Sequence, residues 1–291
     1  MIKHILISAA FAGAIAGHGC VDGTNTALAT PQPTPPVTQM TDLTPQKGTF
    51  RASLPHGFVE PTDAVGQRLL RDYGAMFVAR GVTPPPVVVF ADARAVTQFQ
   101  TAAGSSTATL GGMTVELQKA ALDALQDAVA EAAKSNLRIT PRSSDSSKRT
   151  YDHTVTLWAS RVNPGLAHWV AAKKITAADA ARIKSLTPFE QVPEILDLES
   201  RGIWFSKDLS KSIVYSVAPP GTSQHLSMLA LDVAQFDDAR VRAILARHGW
   251  FQTVTSDLPH FTYLGAAEAD LPKLGLKKVT NADRDFWVPD I

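Results

Sequence analysis

The stretch from Thr24 to Lys47 limits which part of the chain can fold, because it has little to bury. It is rich in threonine, glutamine and proline. Its prolines are Pro31, Pro33, Pro35, Pro36 and Pro45. Such a composition is typical of an extended linker. We therefore predict a linker over residues 21–49 and folded sequence from about Phe50 onward.

An apolar run from Ile5 to Gly17 precedes this linker. It follows a short segment, Met1-Ile2-Lys3-His4, that carries a firm positive charge at its lysine. The run is too short to span a bilayer comfortably, for which about 20 residues are needed. Together these features predict an export signal over residues 1–20, and so a protein that works in the periplasm or the cell envelope. A buried helix is the alternative interpretation of the run.

The single cysteine, Cys20, lies just after the apolar run, so no intrachain disulfide can form. Bacterial lipoproteins carry their lipidated cysteine at such a position. Lipidation of Cys20 would anchor the protein peripherally to a membrane, although one acyl chain alone holds a protein loosely. The preceding Gly17-His18-Gly19 fits the usual Leu-Ala-Gly-like triplet poorly. Ordinary signal cleavage after Ala27-Leu28-Ala29 is therefore the alternative.

The remaining sequence alternates irregularly between helical and strand patterns. The predicted helices are Asp63–Arg80 with Gly81 as a C-cap, Val115–Lys134, Tyr151–Trp169 with a kink or break at Pro164, two short helices from Thr176 and Thr187 through about Glu199, and Phe236–His248. The predicted strands are Val87–Phe90, Leu137–Thr140, Ile213–Val217, Leu229–Val233, Trp250–Thr255 and His260–Leu264. Ser105–Gly112 is predicted to be a loop. This mixture predicts an α+β fold.

Composition excludes one class of partner. The formal net charge is only +1, and the basic residues form no stripe with interleaved aromatic residues. We therefore expect no nucleic-acid partner.

Three residues near the C-terminal end could hold a metal ion. A catalytic zinc site needs three protein ligands drawn from imidazole and carboxylate groups, with a further position open for water. Asp232 ends one predicted strand and His260 begins another, so adjacent strands could bring them together with His225. Asp257 is close enough through a turn to act on a metal-bound water. A histidine beside an aromatic residue is also typical of a protein core, which is the competing interpretation.

The same residues carry a resemblance to VanY-like D-alanyl-D-alanine carboxypeptidases, the zinc D,D-peptidase family. That family has the motif S-x-H-x-x-G-x-A-x-D, then Gly-Trp or Gly-Phe, then E-x-x-H-[FL]-x-Y. The positions that match are Ser223, His225, Ala230, Asp232, Gly249, Trp250, His260, Phe261 and Tyr263. The clear match extends from Ser223 to Gly265.

The resemblance implies a fold, a cofactor and a set of roles. The fold would be of the Hedgehog/D,D-peptidase type, a small antiparallel sheet with flanking helices, over residues 113–291, with residues 50–112 as an accessory region. His225, Asp232 and His260 would bind Zn²⁺, and Asp257 would be the general base. The implied substrate is a peptidoglycan stem peptide.

Two further residues are implied to contact that substrate. Ser223 would lie beside the metal ligands and bind substrate, with hydrogen bonding behind the ligands or turn formation as the alternative role. Arg142, in a segment that resembles the family's "G-Y-R-S", would hold the substrate and act in catalysis. Arg149 is the alternative to Arg142.

Two departures from the family motif leave the activity open. Met228 stands where the family has glycine, and Asp257 stands where it has glutamate. Aspartate is one methylene shorter, which withdraws its carboxylate by about 1.5 Å. A misplacement of about 1 Å can cost on the order of a hundredfold in rate. The first alternative is therefore a degenerate cell-wall-binding pseudoenzyme of the same fold. A second alternative is a peptidoglycan endopeptidase.

Overall fold

A computed structural model of the chain describes residues 49–281 and 283–291. The predicted export signal, Cys20 and almost all of the linker lie outside the described residues. Those described fall within one compact unit. Residues before position 113 contribute to its larger core, where Phe50, Leu69 and Phe77 belong to the same buried cluster as Trp158 and Leu264. The division at residue 112 stays a prediction.

The described chain mixes helices with short strands. The α-helices are α1 (Thr49–Ser53), α2 (Ala64–Tyr73), α3 (Ala93–Ala103), α4 (Lys119–Lys134), α5 (Tyr151–Ala171), α6 (Ala177–Ser185), α7 (Pro188–Ser200) and α8 (Ala239–Arg247). The strands are β1 (Ser106–Leu110), β2 (Met113–Leu117), β3 (Ala230–Asp232), β4 (Trp250–Phe251), β5 (His260–Tyr263), β6 (Leu276–Asn281) and β7 (Arg284–Pro289). They form small antiparallel sheets of order β1-β2, β3-β5-β4 and β6-β7. This confirms the α+β class.

Several helix predictions are confirmed because local chemistry determines them. Thr176 and Thr187 each accept a hydrogen bond from a backbone amide three residues on, and Asp179 and Glu190 reach back in complete capping boxes. Along α4, Ala121, Leu125, Ala128 and Ala132 recur at helical spacing, and all are buried. The helix at Tyr151 continues through Pro164 to Ala171.

Other element predictions are wrong. Val87–Phe90 forms only an isolated parallel bridge from Val87 to Val59. Leu137–Thr140 forms no strand, and Ile213–Tyr215 is a 3₁₀ helix. Apolar, β-branched runs predict burial, and each segment does bury apolar side chains, among them Val88, Ile139 and Ile213, but the segments pack without a neighbouring strand to pair with. The helix predicted to reach Arg80 ends instead at Tyr73 and continues as a 3₁₀ helix, so Gly81 is not its C-cap.

The β1–β2 hairpin replaces a predicted loop and the predicted first turn of α4. Leu110 pairs with Met113 across Gly111-Gly112, so the connection is a two-residue turn. Both glycines have positive φ, at +58° and +82°, as the favoured hairpin turns require. Residues of β1 alternate between half-buried and exposed positions, and both exposed positions are threonines, which explains why its composition indicates a loop. Neither β6 nor β7 was predicted.

The three-stranded sheet is the element that positions the functional residues. Leu231 of β3, Trp250 of β4 and Phe261 of β5 share a buried cluster with the apolar faces of α4 and α8. These helices therefore support the sheet through a packed core. In the part of the chain that the structure describes, no helix has the length and apolar character needed to cross a membrane.

Candidate metal centre

Strand pairing brings two of the predicted ligands together. In the antiparallel β3–β5 ladder, Asp232 lies directly opposite His260. Directly opposed residues project their side chains on the same face of a sheet, with Cβ atoms about 4.5–5.5 Å apart. The predicted proximity of a strand-ending aspartate and a strand-opening histidine is thus present in the fold.

The third residue, His225, comes from a 3₁₀ turn, Gln224–Ser227, just before β3. Met228 ends that turn in the left-handed region, with φ of +59°. A left-handed backbone costs an L-residue with a β-carbon about 1–2 kcal/mol and glycine nothing. This explains why glycine suits the position in the resembled motif. Here methionine accepts the same conformation, with its side chain fully buried.

Gly221 fixes the position of the backbone just before this turn. Its φ is +78°, and a β-carbon added to it would overlap the backbone carbonyl of Phe90. That close approach allows the Phe90 amide to donate a hydrogen bond of 2.9 Å to the Gly221 carbonyl. The segment that carries Ser223, Gln224 and His225 is therefore fixed against the chain around Phe90.

We expect Gly221→Ala to destabilise the protein more than Gly202→Ala. Gly202 has a similar φ of +81°, but a β-carbon there would meet nothing within 4 Å. Both substitutions carry the left-handed cost of about 1–2 kcal/mol. Only Gly221→Ala adds a clash, of about 1–3 kcal/mol. Urea unfolding of both variants measures the difference, and equal losses would show that the approach to Phe90 is not tight.

The three side chains converge on a small volume. His225 Nε2 and His260 Nδ1 each lie 3.3 Å from Asp232 Oδ1. One ligand atom from each of the three residues lies within 4.8 Å of the others. In a tetrahedral site with bonds of about 2.0–2.1 Å, neighbouring ligand atoms are about 3.3–3.4 Å apart. Both histidine-to-carboxylate separations therefore fit a shared zinc ion.

A hydrogen bond on the outer side of the His225 ring leaves its inner nitrogen available to bind a metal ion. His225 Nδ1 lies 2.7 Å from the Ser147 carbonyl oxygen, which can only accept, so Nδ1 carries the proton. His225 Nε2 is buried and has no hydrogen-bond partner in the described chain. An unpartnered buried nitrogen aimed at a carboxylate is the arrangement expected of a metal ligand.

The protonation states also suit a metal ion. Burial lowers the pKa of the His225 imidazole, which favours the neutral ring. Burial alone would raise the pKa of the Asp232 carboxyl, but the adjacent imidazoles of His225 and His260 outweigh it and hold that pKa well below its usual range. Ionised carboxylate and neutral imidazole are the forms that bind metal ions. The residues present therefore fit Zn²⁺.

Arg149 binds the other oxygen of the same carboxylate. Its Nη2 lies 2.7 Å from Asp232 Oδ2, and its Nε donates to the Asp145 carbonyl at 2.9 Å. The two charged side chains are only 15% and 13% exposed. This ion pair orients the carboxylate so that Oδ1 faces the two histidines.

A cavity of about 260 Å³ opens beside the cluster. Ser223, His225, Asp257 and His260 contribute to its walls. Asp257 is exposed on the turn before β5, and its backbone carbonyl accepts a 3.1 Å hydrogen bond from the His260 amide. The structure therefore brings Asp257 and Ser223 to the same cavity as the two histidines, as the sequence predicts.

Arg142 is the predicted site residue that the structure does not bring in. Its backbone amide bonds the Asp232 carbonyl at 2.9 Å, but its side chain is exposed and does not line the cavity. Arg149, the alternative, does line it. The backbone of Arg142 lies beside the last residue of β3, but its side chain extends into solvent.

Two further residues near the cavity were not singled out from the sequence. Arg161, on α5, lines the cavity and donates to Ser216 Oγ at 2.8 Å. Gln224 is buried between His260 and the body of the protein. Gln224 occupies a variable position of the resembled motif, and Arg161 lies outside it, so neither carries a sequence signal of function.

A search of solved structures returns a vancomycin-resistance D,D-pentapeptidase, VanY, from a VanB-type resistance cassette, in a crystal structure of a mutant in complex with Zn(II). The two chains share 18% sequence identity, and the match covers 56% of this chain and 80% of that chain with a TM-score of 0.31. No family model matches the chain, and no curated protein does.

Proposed function

We propose that this protein is a zinc metallopeptidase that acts on peptidoglycan stem peptides, most specifically as a D-alanyl-D-alanine carboxypeptidase. The observation that carries the proposal is the convergence of His225, Asp232 and His260 on a cavity that also holds Asp257. The resemblance of Ser223–Gly265 to the D,D-peptidase motif supports the substrate class. A cell-wall substrate agrees with the proposed export, in which Cys20 would carry a lipid anchor.

The protein groups divide into ligands and acid–base groups. His225, Asp232 and His260 would hold the ion, which when bound would polarise a peptide carbonyl and lower the pKa of water toward neutrality. Asp257, on the open side of the cavity, would take the proton of the attacking water and return it to the leaving amine. Arg149 would hold the Asp232 carboxylate in its orientation.

Arg161 supports a substrate with a free carboxylate. Arg149 has a carboxylate partner in Asp232, whereas Arg161 donates only to the hydroxyls of Ser216 and Ser160 among the described residues. A half-buried guanidinium without an acidic partner favours anionic ligands. The small cavity, about 260 Å³, suits a short terminal residue such as alanine.

The first test measures metal content and product together. Protein that starts near Phe50 is expected to retain about one zinc per chain, as three-ligand catalytic sites do. It should release free D-alanine from a stem pentapeptide, and much less from the same peptide with an amidated C-terminus. Larger fragments from a cross-linked peptide would instead identify an endopeptidase. Absence of zinc after incubation with it would contradict the metallopeptidase proposal.

A cell-wall-binding pseudoenzyme is the second candidate, because Asp257 is shorter than the glutamate of the resembled motif. Asp257→Glu separates the two. We expect a gain of roughly a hundredfold in D-alanine release if the carboxylate is about 1 Å too distant. No release by either form, with retained binding of peptidoglycan, would favour the pseudoenzyme.

A further inference from the structure

Gln224 is a buried polar residue to which the proposed chemistry gives no role. Its side chain is 1% exposed and lies between His260 and the carbonyl of Tyr73. A buried carboxamide must be hydrogen-bonded on both sides to be tolerated. The direction in which each of its atoms points therefore determines what its neighbours must do.

The orientation of the amide is fixed by the backbone. Gln224 Nε2 lies 2.8 Å from the Tyr73 carbonyl oxygen, which can only accept a hydrogen bond. The amide nitrogen must therefore face Tyr73, and Oε1 must face the opposite side. A flipped amide would place two acceptors against each other at Tyr73.

On that opposite side Oε1 faces three polar groups: the hydroxyls of Thr253, at 3.3 Å, and of Thr262, and the His260 imidazole. The two hydroxyl oxygens are themselves 2.6 Å apart. Because the single Thr262 proton goes to Oε1, Thr253 is the donor between the two hydroxyls. The second lone pair of Oε1 then meets His260 Nε2 at 2.9 Å. Because Oε1 can only accept, the proton of the imidazole lies on Nε2.

This arrangement has a competitor within the site. Asp232 Oδ1 lies 3.3 Å from His260 Nδ1 and, as a carboxylate, is a stronger acceptor than an amide oxygen. Without Gln224, the proton would move to Nδ1 and close the ligand position with an internal hydrogen bond. We propose that Gln224 is a positioning residue that holds the His260 proton on Nε2 and so keeps Nδ1 bare for a divalent cation.

The proposal rests on the metal site of the proposed function, but its central claim can be measured without metal. The probe is the ¹⁵N spectrum of the histidine side chains in metal-free protein at alkaline pH, where free imidazole is neutral. His260 is assigned by comparison with His260→Gln. We expect the proton on Nε2 in the wild type. A proton on Nδ1, alone or together with one on Nε2, would overturn the proposal.

A matched pair of variants tests the role of the acceptor. Gln224→Met and Gln224→Glu both lose the amide donor to Tyr73, but only Gln224→Glu keeps an oxygen for His260. We expect the Nε2 proton to persist in Gln224→Glu and to move to Nδ1 in Gln224→Met. Persistence on Nε2 in both variants would show that Gln224 does not position the ring.

Zinc titration then separates positioning from stability. Loss of an outer-shell partner costs about 10–100-fold in metal affinity, which we expect for Gln224→Met. Thr253→Val removes a hydroxyl that contacts Gln224 and Thr262 but not His260. Gln224 Oε1 stays in place as the acceptor for His260, so this variant should lower the melting temperature but leave zinc affinity near the wild-type value. Equal zinc affinity in Gln224→Met and wild type would overturn the proposal.

A wild type that holds the Nε2 proton yet binds no zinc would refute the metallopeptidase proposal and leave the Gln224 assignment intact.

Discussion

Replacing Asp257 with asparagine is expected to lower the kcat/KM of D-alanine release by about 10²–10⁴-fold, the usual contribution of a general acid–base group. Asparagine has nearly the same shape but cannot take a proton. Asp257 makes no side-chain hydrogen bond in the described chain and is exposed, so the substitution should not alter folding. Zinc content should also stay at the wild-type level.

The matched control for this variant is Asp197→Asn. Asp197 is an exposed aspartate on α7 that pairs with Arg201 and lies outside the cavity. We expect it to leave both zinc content and kcat/KM unchanged. Wild-type kcat/KM in Asp257→Asn would remove Asp257 from the mechanism and direct attention to another proton acceptor.

Asp232→Asn is expected to have two large and separable effects. The first is loss of zinc affinity by more than about a hundredfold, since even an outer-shell partner is worth about 10–100-fold. The second is a loss of about 3–5 kcal/mol in the free energy of unfolding, because Arg149 becomes a largely buried charge without its partner. Zinc titration and urea unfolding of the metal-free protein measure the two effects.

The double variant Asp232→Asn/Arg149→Met separates these causes. Removing the guanidinium also removes the uncompensated charge, and buried ion pairs are often replaced by apolar side chains at little cost. We expect the double variant to recover most of the stability but none of the zinc affinity. If it regained zinc binding, the carboxylate would be a structural partner of Arg149 and not a metal ligand.

Methionine in place of the motif's glycine at position 228 does not disrupt the turn that carries His225. The resembled motif has glycine where the turn before β3 needs a left-handed residue, and Met228 adopts that conformation. Its buried side chain offsets a backbone cost of about 1–2 kcal/mol. The turn therefore still presents His225 to the site.

Local chemistry allowed the sequence to predict much of the framework. The capping boxes at Thr176 and Thr187 depend on residues three positions apart, and the buried face of α4 depends on helical periodicity. The strands that carry Asp232 and His260 were also predicted from local sequence, because each is a short apolar or aromatic run. The β1–β2 hairpin was not predicted, because a polar strand exposed on one face has the composition of a loop.

The sequence by itself thus determined which residue types form the site: a histidine in a turn, an aspartate ending a strand and a histidine opening the next. Only the tertiary structure decided what surrounds them. It places the side chain of Arg149, rather than that of Arg142, against the Asp232 carboxylate, and it brings the Tyr73 carbonyl to Gln224 across 151 positions of sequence. The physical reason is that strand and helix patterns report local backbone preference and burial, whereas partners so distant in sequence meet only when the core packs.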